Sequence, residues 1–458
     1  MRAPKRALSV FAIGVALALA FFIVPAVTDS GQGASAEAPY TLIYYDGHMH
    51  TTYSDGSGTV AQIKATALAR GLSAVIITDH CEDLAPGEWQ SLVADAAAAS
   101  DASFLALPAF ENTGSEGLFM RDHMLAYNVG YPFVGGGCLS AKWPSPLNPL
   151  GTGADAASLA KWATWIHSQN GIAVHAHPTG STLLSYGVNN IELYNQDFIN
   201  SVIGYAMAPP LNMSYLQAWG FAIAISNFAV YGETEPAPYP GLNGLVSFPG
   251  IPIPVSFRWG LWMATDMLTG VGQILGWGSF NPANPVSPGN GDLNSWDDLL
   301  MAYVNGTAKS PTFGVADSDS HNTGDLNTTV GLAKNGLYVK ALTADEIYKA
   351  IKAGRSFATN GPSLTFDVNG AIMGETVRVA SSGSVNVSLS ATAETPGYGV
   401  AKIVIYKNGQ LWKTIPGGGP TTLTDTVTAD GYYRIEVTSV GPGLPQFAWS
   451  NPVFVKVK

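Results

Sequence analysis

The stretch "DGHMHTTYSDG", residues 46–56, sets two histidines either side of one methionine and adds an acid five residues after the second. In an extended chain alternate side chains point to the same face, so His48 and His50 can converge on one point. Comparable groups recur downstream: "TDH" ending at His80, "FEN" with Glu111, "DHML" with His123, "GIAVHAHP" with His175 and His177, and "ADSDSH" with Asp317, Asp319 and His321. Six of the eight histidines (His48, His50, His80, His123, His177 and His321) and three carboxylates (Asp55, Glu111 and Asp319) thus fall at or just beyond expected strand ends. Imidazole mixed with carboxylate suits Zn, Mn or Fe, and no thiolate cluster is present to favour a structural zinc. Nine donors exceed the needs of one ion. A carboxylate such as Glu111 can bridge two, so the set predicts two to three divalent metal ions. Centres of this kind activate water for attack on phosphorus or on a carbonyl carbon. The chain carries no serine nucleophile elbow and no P-loop, which turns the reading away from covalent serine and nucleotide chemistry.

The elements that must hold these residues follow a repeating order of strand, polar tip, helix, strand. "TLIYYDGHMH" reads as a strand, "TVAQIKATALARGLS" has helical spacing with Gly71 as its stop, and "AVIITDH" is a buried strand with a polar tip. "LAKWATWIHSQN" then "GIAVHAHP" repeat the helix and strand, as do "SPTFGVADSDSHN" and "LTADEIYKAIKAGRSFATNGP", the last with a helix ending near Gly354. In α/β architectures ligands collect where strand C-termini meet, so the pattern predicts an α/β domain with one shared site. An apolar insertion interrupts it at about 198–287; residues 198–232 hold no charged side chain. Beyond Pro362 the texture changes to short alternating runs, with an Asn-Gly hairpin signal at Asn408-Gly409. This predicts a small β-sandwich over 363–458, which lacks histidine and cysteine and so supports rather than reacts.

The chain of 458 residues is 47% hydrophobic and 12% charged, with a net charge of -11 and no basic patch. A nucleic-acid partner is therefore not expected. Arg2, Lys5 and Arg6 precede an apolar run from Ala7 to about Val27, and Ala34-Ser35-Ala36 offers a small-residue cleavage site. Residues 1–36 read as a signal peptide or an N-terminal membrane anchor, and either places the body of the protein outside the cytoplasm. The insertion reads as apolar helices packed on the core or over the site, or as a surface for membrane docking or apolar substrates. Cys81 and Cys138, the two cysteines, permit one disulfide or stand as two buried thiols. Oligomeric state is not legible.

In their order, "DGHMHTTYSDGS", "GLSAVIITDH", "FEN" with "DHML", "GIAVHAHP" and "ADSDSH" resemble the motifs of the PHP (polymerase and histidinol phosphatase) metallohydrolase family. The likeness spans residues 43 to about 362. The tail "AIKAGRSFATNGP" and the β-rich residues after it are similar to exported members of the carbaryl-hydrolase-like (CehA/McbA) group. The resemblance implies a distorted (β/α)7 barrel with a trinuclear centre over residues 37–362. Carried across motif by motif, His48, His50, Glu111 and Asp319 hold one ion. Glu111 bridges to a second held also by His123 and His177, and Asp55, His80 and His321 take the third. The family's match is to His-Pro, which selects His177 and leaves His175 as a neighbouring or structural group. His167, mid-helix, is structural; Asp317 and Asp79 are candidates for orienting ligands, with a backbone cap the alternative for Asp79. Asp55 or Asp319, each beside a histidine, is suited to assist proton transfer, and Glu111 joins them as the bridging carboxylate of the catalytic set.

Substrate choice divides three ways. Many relatives of this family are phosphoesterases, and that is the first expectation. "HAHPTGS" lacks the arginine that often follows His-Pro in the phosphatase relatives, and Arg121 is the nearest basic candidate. An apolar insertion rich in Trp and Phe suits a carboxyl ester, carbamate or lipid-like substrate, the second expectation. The third is a non-catalytic metal-binding surface protein. In the first two a small-molecule or lipid-like substrate is the partner.

Overall fold

In a computed structural model, the first histidine motif follows β1 (Thr41–Asp46), and the chain then runs through α1 (Val60–Ala69), β2 (Ala74–Ile77), α2 (Pro86–Ala99) and β3 (Leu105–Pro108). The structure describes residues 39–81, 83–116, 121–130, 156–177, 187–196, 207, 218, 296–321, 330–380, 383–443 and 445–458. The segment 1–36 expected to direct export, Cys138 and all of the apolar insertion except Met207 and Ala218 lie outside these. Among the described residues no helix is long and apolar enough to cross a membrane.

β1, β2 and β3 pair in parallel. All four residues of β2, Ala-Val-Ile-Ile, are buried, and each of its larger side chains contributes about 1.5–3 kcal/mol by leaving water. α1 begins at Thr59, whose hydroxyl accepts from Gln62 N–H while Gln62 Oε1 accepts from Thr59 N–H, satisfying two donors at the helix start. Gly71, with φ of 74°, turns the chain back after the helix. Val60, Ile63 and Ala67, three and four residues apart, join Val75 and Ile77 in one core, so helical spacing and strand alternation meet there.

A second sheet follows: β4 (Phe110–Glu116), β5 (Arg121–Tyr127), β6 (Ile172–Ala176), β7 (Asn190–Asn195) and β8 (Phe313–Asp317) lie in that order. α3 (Ala156–Ser168) precedes β6, and α4 (Trp296–Val304) precedes β8. β4, β5 and β6 pair antiparallel, whereas β6, β7 and β8 pair parallel. β9 (Lys334–Val339) returns to the first sheet antiparallel to β1, and α5 (Ala344–Lys352) leads to β10 (Ser356–Thr359).

The architecture is mixed α/β, but the sheets are not closed as a (β/α)7 barrel requires. β4 follows β3 with one residue between, and no helix separates them. Isolated parallel bridges span the two gaps, His80 to Glu111 and Met49 to Ser320. Backbone hydrogen bonds support each: Cys81 N–H to Glu111 O (2.9 Å), and Asp319 N–H to His48 O (2.8 Å) with His50 N–H to Ser320 O (2.9 Å). His80 and Glu111 form one of these bridges, and His48, His50, Asp319 and His321 flank the other, where the two sheets are tied together.

The C-terminal residues are all strand. β11 (Ser363–Val368), β12 (Ala371–Ile372), β14 (Gly383–Thr392) and β17 (Thr421–Val427) form a four-stranded sheet. β13 (Thr376–Val379), β15 (Gly399–Lys407), β16 (Gln410–Pro416), β18 (Gly431–Val440), β19 (Gln446–Ser450) and β20 (Val453–Val457) extend the first sheet to eleven strands. Phe366, Val387 and Leu389 of the smaller sheet share a buried core with Ile403, Ile435 and Val453 of the larger. Asn408 and Gly409, with φ of 53° and 75°, make the β15–β16 hairpin turn. In place of a sandwich built from 363–458 alone, β19 pairs with β10, so one sheet runs from the C-terminal strands to β1. A buried polar latch adds to this. Arg434 on β18 grips Asp297 of α4 through Nε (2.7 Å) and Nη2 and reaches Glu436 through Nη1, with its guanidinium 4.1 Å from the Tyr406 ring centre.

Candidate metal centre

Each site side chain is aimed by its strand tip. After β1 the chain passes Gly47, where a Cβ would sit 2.7 Å from Tyr127 Oη and 2.8 Å from Asp317 Oδ1, so only glycine fits. Asp317 Oδ1 accepts from Gly47 N–H (2.7 Å) and from Asn335 Nδ2 (2.9 Å). Asp79 acts on the other side of the motif. Its carboxylate takes Thr51 N–H (2.6 Å), Thr51 Oγ1 (2.7 Å) and Ser54 Oγ (2.7 Å), fixing the turn between His50 and Asp55. His80 lies just past β2, Glu111 on β4, His123 on β5, His177 just past β6, and Asp319 and His321 just past β8. His177 and Asp319 have φ of 28° and 53°, left-handed values that side-chain-bearing residues rarely adopt.

Three groups of donors result. His48, His50, Glu111 and Asp319 form the first, entirely buried. Their donor atoms stand 3.1–3.3 Å apart: His48 Nε2 and His50 Nε2 are each 3.1 Å from Glu111 Oε2, 3.2 and 3.3 Å from Asp319 Oδ1, and 3.2 Å from each other. A tetrahedral ion with bonds of about 2.0–2.1 Å has donor–donor edges of about 3.3–3.4 Å. His80, Glu111 and His123 form the second group, with His123 Nδ1 2.6 Å from Glu111 Oε1 and His80 Nδ1 3.5 Å from Oε2. His50, Asp55, His80 and His321 form the third: Asp55 lies 3.6 Å from His50 Nδ1, 3.6 Å from His80 Nε2 and 3.5 Å from His321 Nε2. This group opens to solvent, with the Asp55 side chain 50% and His321 30% exposed. His321 Nδ1 is held at Asp319 O (2.9 Å), leaving Nε2 toward Asp55.

The donor set fits divalent cations. His50 Nδ1, His123 Nε2 and Asp319 Oδ1 are buried and make no hydrogen bond among the described residues. Two imidazole nitrogens facing each other at 3.2 Å, with carboxylate oxygens on both sides, form a cage that a cation completes. Electrostatics carry the same stamp. Burial alone disfavours charge on these groups, yet the charges of Asp319, Glu111 and Glu192 raise His48 well above the ordinary histidine range. Against the same burial, the adjacent Asp319 and Glu111 carboxylates push His50 up to about 10, and Glu111 and Asp319 take His177 to about 9. The surrounding histidines hold Glu111 and Asp319 well below the usual carboxylate range despite burial. His80 goes the other way, to about 3, because burial outweighs its attraction to Glu111 and His50 and His123 crowd it with like charge. Below the cage burial raises Asp46 to about 6, and burial with the Glu192 and Asp46 charges raises Asp317 well above its ordinary value.

The nine residues singled out in the sequence therefore lie together, with Glu111 in two of the three donor groups, and with two differences from the expected grouping. His50 presents Nε2 to the first group and Nδ1 to the third. His80 also stands beside Glu111 and His123, whereas His177 approaches from the Asp319 side, its Nε2 3.3 Å from Glu111 Oε1 and 3.8 Å from Asp319 Oδ2. His175 is buried within β6, and His167 on α3 bonds Asn189 Oδ1 (2.8 Å), away from the cage. Sequence reasoning passes over Glu192 and Asn195. Glu192 Oε1 lies 2.7 Å from His48 Nδ1, and Asn195 Nδ2 donates to Glu192 Oε2 (2.9 Å) and Asp319 Oδ2 (3.2 Å). The signal available was one acid in the apolar strand "IELYN" directly after the His-Pro motif. Cys81, beside His80, is buried and disulfide-bonded.

No family model and no curated protein matches the chain. Among solved structures, it is similar to a two-domain protein from Bacteroides vulgatus containing a predicted PHP-like metal-dependent phosphoesterase. That likeness has 11% identity and a TM-score of 0.35, and it covers 89% of this chain and 95% of that one. An amidohydrolase from Chromobacterium violaceum, with bound sulfate and no metal, shares 19% identity over 33% of this chain and 77% of its own, with a TM-score of 0.25. Both TM-scores are under 0.5, so the chemistry is read from the cage itself.

Proposed function

We propose that the protein is an exported metal-dependent hydrolase of the PHP type, acting first as a phosphoesterase. The observation that carries this is the clustering of six histidines and three carboxylates, with Glu111 shared by two donor groups and donor spacings of 3.1–3.3 Å in the buried one. His48, His50, Glu111 and Asp319 would hold one ion, Glu111 with His123, His80 and His177 a second, and Asp55, His80, His321 and His50 a third. When bound, such ions supply Lewis acidity and lower the pKa of water. The residues do the rest. Asp55, half exposed and ringed by three histidines, accepts a proton from the attacking water and passes it to solvent. Asp319, fixed by Asn195, and Glu111, fixed by His123, keep their negative charge and so hold the cage's geometry through turnover.

A metal-dependent carboxyl-ester or carbamate hydrolase is the second reading. Its support is the absence, among the described residues, of an arginine or lysine side chain in an ion pair with any cage carboxylate. Phosphate recognition generally enlists such cations. The test is turnover by the purified full chain loaded with Mn or Zn, against aryl phosphomonoesters, phosphodiesters, carboxyl esters and carbamates. Phosphoester turnover that disappears on chelation supports the first reading. Turnover of carboxyl substrates alone overturns it, and no turnover of any class by the loaded protein overturns both.

A further inference from the structure

Glu192 is buried on β7, and the cage residues around it come from three other strand ends. Its Oε1 meets His48 Nδ1 at 2.7 Å. Its Oε2 accepts His177 N–H at 2.6 Å and Asn195 Nδ2 at 2.9 Å. Asn195 in turn donates to Asp319 Oδ2 at 3.2 Å. A carboxylate only accepts, so His48 must donate from Nδ1, which leaves Nε2, facing Glu111 and Asp319, as the nitrogen that would give its lone pair to an ion. This network ties His177 down at its backbone N–H and Asp319 at its side-chain Oδ2, and these are the two cage residues with left-handed φ. Such conformations cost of order 1–3 kcal/mol each and persist only where surrounding bonds impose them.

We infer that Glu192, with Asn195 as its extension, is the positioning residue of the centre: one carboxylate sets the tautomer of His48, holds the turn that presents His177 and, through Asn195, orients the Asp319 carboxylate. This deepens the metal-hydrolase reading and rests on it. Glu192→Gln is the sharp perturbation because it keeps size and shape. A carboxamide offers one accepting oxygen and one donating nitrogen, so either His48 Nδ1–H or His177 N–H must face a second donor. In the first arrangement His48 is driven to the tautomer whose Nε2 carries the proton and cannot ligate.

The test compares the purified full-length wild-type chain, Glu192→Gln and Asn195→Ala, with Zn affinity measured by chelator competition and ligand field by the visible spectrum of the Co(II)-loaded protein. Loss of an outer hydrogen-bond partner of a metal-binding histidine commonly weakens metal affinity 10–100-fold. A drop of that size for Glu192→Gln, with a changed Co(II) spectrum and an unchanged far-UV spectrum of the metal-free chain, supports the assignment. Glu192→Gln affinity within twofold of wild type, with an identical Co(II) spectrum, overturns it. Should Glu192→Gln not fold, Asn195→Ala decides: a weakened Zn affinity and altered Co(II) spectrum support the assignment, and wild-type values overturn it. A wild-type chain that binds neither Zn nor Co(II) overturns the metal reading itself, which is a different result from equal binding by wild type and variant.

Discussion

Glu111→Gln removes one charge and keeps the shape, and the geometry dictates how much metal should go with it. Glu111 belongs to two of the three donor groups, through Oε2 with His48 and His50 at 3.1 Å and through Oε1 with His123 at 2.6 Å. The third group, His50, Asp55, His80 and His321, does not include it. A neutral amide binds a hard divalent cation far less well than a carboxylate, so both Glu111-dependent positions should empty. From two or three ions per wild-type chain, Glu111→Gln should retain at most one, whereas Asp55→Asn should lose one and keep the buried positions. Elemental analysis after gel filtration into metal-free buffer measures this directly. In the metal-free variant, histidine titration by NMR should show His50 falling from about 10 and His177 from about 9 toward ordinary values, since Glu111 helps to raise both. Two or more ions retained by Glu111→Gln, or equal loss from both variants, refutes the grouping.

Metal loading should be linked to pH: without ions His50 and His177 keep protons up to about pH 10 and 9, so uptake at pH 7.5 should release protons, seen as calorimetric heats that vary with buffer ionisation enthalpy. Because these folded-state values exceed the unfolded value of about 6.5, their stabilisation is complete below that pH and fades as pH climbs through 9 and 10, so the melting temperature of the metal-free chain should fall over that window. Asp297→Ala should destabilise by about 3–5 kcal/mol in urea, because Arg434 is left buried with Glu436 as its remaining carboxylate partner among the described residues. The double variant Asp297→Ala/Arg434→Met should recover much of that loss, and failure to recover would deny the electrostatic cause. Gly336→Ala should cost about 1–3 kcal/mol, since its Cβ would fall 2.2 Å from the buried Phe357 ring; an unchanged urea midpoint would show that the ring can yield.

The cage was legible because its donors stand at strand tips in short polar clusters against apolar strands, as in "VIITDH" and "GVADSDSH". Helix ends were legible for a similar local reason: Gly71 and Gly354, read as stops, follow α1 and α5 with positive φ. What stayed hidden depends on distant partners. Glu192 sits in a buried strand and reads as an isolated acid until His48, 144 residues earlier, is placed against it. Arg434 and Asp297 lie 137 residues apart in segments of unrelated texture. The sharing of His50 and His80 between groups depends on ring rotation, which spacing does not encode. Pairing of β10 with β19 was likewise invisible, since any alternating run can join any open sheet edge.

That last pairing, with β1 lying between β2 and β9, sets a timetable for making the protein. His48 and His50 are synthesised early, but the residues that anchor them come far later: Gly47 bonds Asp317 across 270 positions, and β1 finds β9 only at Lys334–Val339. The sheet edge at β10 then waits for Gln446–Ser450, with β11 to β18 made in between. A nascent chain halted before Asp319 holds seven of the nine donors and an unpaired β1 edge, so the first donor group cannot be complete until residue 319 is made. Such long-range closure makes folding slow and its intermediates adhesive. Metal capture by the first donor group would therefore follow the synthesis of β8, and a break at β10 or β19 would reach the cage through the sheet these strands share with β1.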